Sequence, residues 1–161
     1  MLTGRTQGAL AGRQGGFSLF ELVVVLGIIA VVVAIAAPRY ADSIARHRAD
    51  LVARRIVADL DLARAKAYAS STTVTVKFDV QADTVWLVGM PSMDRAASEY
   101  VVRLAEPPYH ARLVYADFGG SPALSFDGYG VASSGGCLVV QVGQVRRTLN
   151  LDPGTGKVVV Q

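Results

Sequence analysis

The residue most out of place in the 161-residue sequence is Glu21. It follows Gly15-Gly16-Phe17-Ser18-Leu19-Phe20 and stands directly before a run, Leu22 to Ala37, in which no polar side chain occurs. A carboxylate within a membrane helix costs about 2.5–3.5 kcal/mol at the centre and less towards an end. Low dielectric makes a carboxylate–cation pair strong and either charge alone expensive, so the position calls for a cationic partner. The plainer alternative is a carboxylate at headgroup level, favoured there by the dipole of a helix N-terminus.

The other chemistry-bearing residues do not assemble into a reactive set. Gly154-Thr155-Gly156-Lys157 is like the end of a phosphate-binding loop, but Leu151 stands where the first glycine is required and Val158 replaces the hydroxyl residue. His47 lies among arginines and His110 follows Pro107-Pro108, neither with the company a metal ligand needs. Ser125 and Asp127 lack a nucleophile motif around them, and Asp127-Gly128 reads as a turn. No catalytic residue, metal, cofactor or small-molecule substrate is expected, and the chain is not read as an enzyme. Cys137 is the sole cysteine, which excludes an intrachain disulfide; its expected place is a small buried hydrophobe on a strand.

These residues sit on two kinds of sequence. Of the chain, 52% is hydrophobic, and the excess is concentrated before Pro38. Phe17 to Ala37 is about 21 residues, roughly 30 Å as a helix and enough to cross a bilayer. A cleaved signal peptide, with Arg5 and Arg13 as its basic end and Ala34-Ile35-Ala36 as its site, is disfavoured by the length of the apolar core and by Pro38 just beyond. A plain signal anchor explains the length but gives Glu21 no role. Pro38 removes the hydrogen bond to the Ala34 carbonyl and is expected to kink the helix.

Beyond Pro38 the pattern stays helical to about Ser70, with Ile44, Leu51, Ile56, Leu60, Ala63 and Ala67 read as the buried face and Arg46, Arg48, Asp59, Arg64 and Lys66 mostly on the others. From Thr73 alternation takes over. Val74, Val76, Phe78 and Val80 share one face of a half-buried strand. Further strands are expected at 85–88, 100–104, 112–115, 123–126, 137–142, 145–151 and 157–160. Gly143-Gln144 and Asp152-Pro153-Gly154 are turn signals, and 89–98 and 119–122 read as surface loops. Strands after one long helix predict an α+β fold: a long N-terminal transmembrane-plus-amphipathic α-helix packed on an antiparallel β-sheet domain.

The stretch from Gly15 to Glu21, between a short basic leader and the apolar run, resembles the processing site of the type IV pilin and pseudopilin family. A prepilin peptidase of that family cuts after the glycine on the cytoplasmic side and methylates the new N-terminal residue. The resemblance implies cleavage after Gly16, an N-methylated Phe17, and Glu21 as the assembly glutamate that meets the amine of a neighbouring subunit. That amine is charged near neutral pH, with an ordinary pKa of about 7.7–8.0. Pro38 falls where pilin helices often carry a proline.

The layout implied is a cleaved leader (1–16), a transmembrane helix (17–38), the amphipathic half of the helix (39–72) and a periplasmic β domain (73–161), single-pass in the inner membrane with a cytoplasmic N-terminus. The cytoplasmic-positive rule alone favours the opposite orientation, because Arg39, Arg46, Arg48, Arg54 and Arg55 outnumber Arg5 and Arg13. The processing motif overrides it, since long following domains translocate largely regardless of charge.

Three later phrases, VADLDLARAKAYASSTTVTVKF (57–78), LSFDGYGVASSGG (124–136) and LDPGTGKVVV (151–160), are similar to the H-type minor pseudopilins (GspH) of type II secretion and to FimT-type minor pilins. One cysteine and no dense acidic loop depart from major pilins and major pseudopilins. The function implied is a structural minor pseudopilin assembling with other major and minor pseudopilins in a periplasmic pseudopilus; the alternatives are a FimT-like minor pilin in pilus biogenesis, adhesion or DNA uptake, and a membrane-anchored β domain unrelated to filaments. Some FimT-like proteins bind DNA through a basic C-terminal segment. Here Arg146, Arg147 and Lys157 are the late cations and the net charge is only +3, so nucleic acid is not an expected partner.

Overall fold

The computed structural model describes residues 18–91 and 99–161. It comprises two compact units, one ending at Arg39 and one running from Tyr40 to Gln161, and a helix, α1 (Leu19–Ser70), contributes to both. In the first unit the large apolar side chains from Leu22 to Ile35 are uncovered, each 42–62% exposed. Valine and isoleucine are mediocre helix formers in water. In lipid the helix is favoured regardless, because every backbone group must be satisfied within the segment.

In the second unit α1 buries Ala49, Val52, Ala53, Ile56, Leu60, Ala63 and Ala67, spaced by three and four. Four of the seven are alanines, so the sheets approach the helix closely along this line. Two residues expected on that face are not in it: Leu51 is 40% exposed and Ile44 only half-buried. Val52 and Ala53 hold the inward direction at that turn, and Leu51, about 100° round the helix from Val52, is turned away.

α1 ends where the serine-threonine run begins. Ser71 takes a left-handed conformation (φ 50°), and its N–H donates to the Tyr68 carbonyl while Thr72 N–H donates to that of Ala67. This paired closure satisfies carbonyls that a helix end otherwise leaves open. The loop carrying Gly128 packs onto it, so closely that a Cβ at Gly128 would lie 2.8 Å from the Ser71 carbonyl carbon.

The strands that follow are β1 (Val74–Asp79), β2 (Thr84–Pro91), β3 (Glu99–Arg103), β4 (Arg112–Asp117), β5 (Ala123–Phe126), β6 (Gly136–Val142), β7 (Val145–Leu151) and β8 (Val158–Val160). They form two four-stranded antiparallel sheets, ordered β3-β2-β1-β5 and β4-β6-β7-β8. The inner faces supply Val76, Phe78, Val85, Leu87, Leu124 and Phe126 from one and Leu113, Leu138, Val140 and Leu149 from the other. The Phe78 and Phe118 rings stack at 5.2 Å. Thus the α+β class, with a long helix packed on antiparallel sheets, is the observed one.

Three local expectations need correction. Gly89, Met90 and Pro91 belong to β2 rather than to a loop; the pairing with β3 shifts register between Leu87 and Pro91, Gly89 has φ 76° and Met90 is buried. A bulge accommodates the glycine and proline that read as loop signals; residues 92–98 of that expected loop lie outside the described residues. Val80 is exposed in the β1–β2 turn, where the Asp79 carboxylate accepts from the N–H groups of Gln81 and Ala82. Cys137 is on β6 as expected but only half-buried, because Leu138, Val140 and Val142 take the inward positions.

The contact at Ser71 makes a sharp expectation. Gly128→Ala forces a methyl into backbone and is expected to lower unfolding stability by about 1–3 kcal/mol in urea denaturation. Gly154→Ala, whose Cβ would meet its nearest neighbour, Asp152 Oδ1, at 3.5 Å, is expected to stay within about 0.5 kcal/mol of the parent. Equal effects would remove the close approach as the reason for glycine at 128.

Candidate assembly site

Gly16 and Phe17 lie outside the described residues. Glu21 occupies the first turn of α1, exposed, with Leu19 and Phe20 exposed beside it. Among the described residues no cation of the chain pairs with it. A carboxylate at the head of an uncovered apolar helix is therefore available to a cation from outside the described chain. α1 continues through Pro38.

What makes such a helix a carrier is its attachment to the sheets, which polar groups fix at three heights. Nearest the start of the second unit, Arg147 Nε on β7 donates to Asp50 Oδ1 at 2.7 Å. In the middle, Asp59 is a charged residue in the core, 3% exposed. Its Oδ1 accepts from the Tyr100 hydroxyl of β3 at 2.7 Å, its Oδ2 accepts from Arg55 Nε at 3.2 Å, and Arg55 Nη2 donates to the Tyr100 oxygen at 2.6 Å. The triangle is closed, and a closed polar network in a low dielectric both holds and orients the elements it joins.

Burial pushes the Asp59 carboxyl above its ordinary range, against the bond from Tyr100 and the charge of Arg55. Burial, followed by the Asp59 hydrogen bond and charge, pushes Tyr100 up to about 12. Asp59, grouped by the sequence with charges mostly on outer faces, lies on the buried side. Its position three residues after Ile56 and four before Ala63 was the signal that it shares their side.

Near the end of α1, Arg64 Nε donates to the Gly130 carbonyl at 3.0 Å and Nη1 to that of Thr155 at 3.2 Å. The glycine-bearing phrases 124–136 and 151–160 therefore meet at one guanidinium. Gly156 (φ 65°) passes so near that a Cβ there would sit 3.0 Å from Arg64 Nη1. Arg64 was also expected on an outer face; only the fold brings the two loops to it.

The remaining candidates serve local structure. Ser125 Oγ is 2.8 Å from Thr75 Oγ1 of the neighbouring strand. Asp127 Oδ1 accepts from the N–H groups of Tyr129 and Val131, tying its own turn. Asp152 likewise ties its own turn, Oδ1 accepting from the Gly154 N–H and Oδ2 from the Thr155 hydroxyl, and the Gly154–Lys157 stretch leads into strand β8. His47 and His110 are exposed, and among the described residues no three His, Cys, Asp or Glu side chains gather as a metal site.

A helix with an uncovered apolar first part and a second part keyed into two antiparallel sheets defines a pilin-like subunit. The family model for type II transport protein GspH matches residues 52–155, and the prokaryotic N-terminal methylation motif matches residues 12–37. The chain belongs to the GspH family, within the type IV pilin and pseudopilin class. Among solved structures it is similar to the type IV minor pilin FimU of Pseudomonas aeruginosa strain PAO1 in two crystal forms. One gives a TM-score of 0.52 at 14% identity over 72% of this chain and 90% of that one. The other gives 0.50 at 13% identity over 70% and 91%. At such identities the likeness is one of fold. No curated protein matches the chain. The family is a structural one, and membership implies processing by a prepilin peptidase and assembly with other pilin-like subunits. The apolar helix and the methylation motif together mark a membrane anchor.

Two expectations follow from the attachment. A carboxyl whose folded pKa is raised binds its proton more readily in the folded chain. Its contribution to stability is greatest at low pH and declines as pH rises from its ordinary value near 3.8 through the raised one. Asp59→Asn keeps an acceptor for Tyr100 but cannot titrate, so the stability difference, parent minus variant, is expected to fall across that window in denaturation curves measured at successive pH values. A difference that rises with pH would mean a depressed carboxyl. For Arg64, replacement by alanine is expected to cost about 1–3 kcal/mol and to speed hydrogen exchange at the Gly130 and Gly156 amides together. Lysine, a single point donor, restores at most one loop.

Proposed function

We propose that the chain is a structural minor pseudopilin of a type II secretion system. A prepilin peptidase cuts it after Gly16 and methylates Phe17. Residues 17–38 then cross the inner membrane with the N-terminus cytoplasmic, and the β domain lies in the periplasm as part of the pseudopilus. Glu21 pairs with the amine of Phe17 on a neighbouring subunit, which neutralises both charges within the apolar packing and fixes the axial register of one helix against the next. Pro38 bends α1 near the membrane surface. The observation that carries the reading is the GspH-family match over 52–155 joined to a methylation motif over 12–37.

A second reading, a minor subunit of a type IV pilus, is favoured by the fold of FimU. The filament with which the tagged chain copurifies separates the two: a secretion pseudopilus supports the first and a surface pilus the second.

Mass spectrometry of the membrane fraction is expected to find a chain starting at N-methyl-Phe17. An intact N-terminus, or a cut after Ala36, would remove the processing step. Glu21→Ala is expected to be inserted and cleaved normally but to enter filaments at least about tenfold less, the effect of roughly 1.4 kcal/mol, in cross-linking of membrane fractions. Normal incorporation would leave the carboxylate without this role.

A further inference from the structure

The two sheets end in four edge strands, β3, β5, β4 and β8, and three of these edges are covered or blunted. β5 is covered by the chain that follows it, where Ala132 bridges to Phe126 and the Ser133 N–H donates to the Ser125 carbonyl at 2.8 Å. On β4 the register shifts between Leu113 and Tyr115, and the Leu113 N–H is taken by Asp83 Oδ1 at 2.7 Å. β3 carries an exposed charge at each end, Glu99 and Arg103. Bulges, charges and covering chain are the ordinary means by which an edge is kept from pairing. β8 has none of them: it is Val158-Val159-Val160, in unbroken register with β7.

The ladder fixes which of its backbone groups face the open side. Thr148 and Gln161 exchange both hydrogen bonds, at 3.0 and 2.8 Å, and the Asp152 N–H donates to the Lys157 carbonyl at 3.0 Å. Bonded and non-bonded pairs alternate along antiparallel strands. The N–H and C=O groups of Val159 therefore turn towards β7, and those of Val158 and Val160 turn away from it. Among the described residues no other backbone group bonds to them. Val158 and Val160 stand opposite Leu151 and Leu149 on the core side of the sheet, and Val159 opposite Asn150 on the outer side. Val160 is nonetheless 40% exposed, because no strand lies beyond it.

We propose that this edge pairs with β8 of a second copy of the chain, antiparallel, about a two-fold axis through Val159. The symmetry of the open groups selects the occupant. With the axis at Val159, Val158 of one copy faces Val160 of the other, and each such pair exchanges two bonds. All the outward groups of both strands are then met at once, which an axis at Val158 or Val160 does not achieve. The core-side valines cover one another across the new boundary, Val159 meets its own counterpart, and Lys157 stands opposite Gln161, so no like charges are opposed. A strand of three residues buries far less than the roughly 1,200–2,000 Å² of a stable complex. The contact is therefore weak, and is populated where copies are held at high effective concentration, as in the plane of one membrane. A two-fold pair closes on itself, unlike the open head-to-tail contact by which a filament grows. The pairing rests on membrane anchoring for that concentration but not on which filament the chain joins.

The test uses the full chain in lipid vesicles, with Cys137→Ser and Val159→Cys, under a mild oxidant. Opposed residues of a non-bonded pair have Cα atoms about 4.5 Å apart, within reach of a disulfide. Disulfide-linked pairs of chains are expected on non-reducing gels, severalfold above the yield from Val101→Cys, an exposed valine on the β3 edge, in the same Cys137→Ser background. Val160→Pro removes an N–H that β7 does not use, so it is expected to lower the yield severalfold while the urea midpoint stays unchanged. Val160→Lys, which keeps the N–H but puts a charge on the edge, is expected to act in the same direction. A yield no higher than that at Val101, or one that survives both substitutions, overturns the proposal. So does a Val159→Cys disulfide to a different protein in native membranes, which would assign the edge to a strand of that protein. Flotation of the same vesicles reads anchoring separately: a chain that floats without cross-linking keeps the anchor and loses the pairing.

Discussion

One helix has to be stable against two surroundings, and the rest of the structure is arranged around that constraint. From Leu22 to Ile35 its side chains are apolar on every side and uncovered by the chain. After Tyr40 only one stripe is apolar, and the sheets cover it. The first pattern suits a solvent that is apolar all round, the second an interface with a wet side. A stripe made largely of alanine gains little from area alone, at about 25 cal/mol per Å². This is why the attachment also relies on directed bonds at Asp50, Asp59 and Arg64.

Asp59 shows how such a bond can be specific without being strongly stabilising. Burying a carboxylate opposes folding, and the bonds from Tyr100 and Arg55 offset that cost. A helix slipped by one turn would leave the carboxylate without the bond from Tyr100, while Arg55, on the same helix, would move with it. The alanines at the two ends of the stripe, Ala49, Ala53, Ala63 and Ala67, do less to resist such a slip, since they offer the sheets little shape to lock into. The bond from Tyr100 thus adds to the register that Val52, Ile56 and Leu60 set by shape.

Much of this architecture was legible because the two periodicities differ so clearly. Every expected strand corresponds to an observed one, since alternation of valine, leucine and phenylalanine with polar residues reports a half-buried sheet directly. The end of α1 was legible from the Ser70-Ser71-Thr72-Thr73 run. What escaped was set by contacts distant in sequence. Gly89 and Pro91 carry loop chemistry locally, yet the partner strand draws them into β2 through a bulge. Cys137 and Leu138 are both residue types that proteins commonly bury; which of the two faces inward is set by the packing of β6 in its sheet. Asp59 and Arg64 looked like solvated charges because nothing near them in sequence reveals Tyr100, Gly130 or Thr155. Glu21 is the reverse case: it is conspicuous in sequence, while the partner proposed for it belongs to another molecule.

The attachments of α1 to the sheets also constrain the order in which the chain can fold. They join residues 41 apart at Asp59 and Tyr100, 66 and 91 apart at Arg64, and 97 apart at Asp50 and Arg147. None of them is local, and the entropy of closing such loops must be met before any of these bonds forms. The α1 backbone can be helical as soon as it is made, but its alanine face has no complete partner until β7 and the 152–157 loop are in place. A chain made from its N-terminus would therefore carry a half-naked helix for most of its synthesis. Its domain would close only when the last stretch, from Val145 onward, arrives.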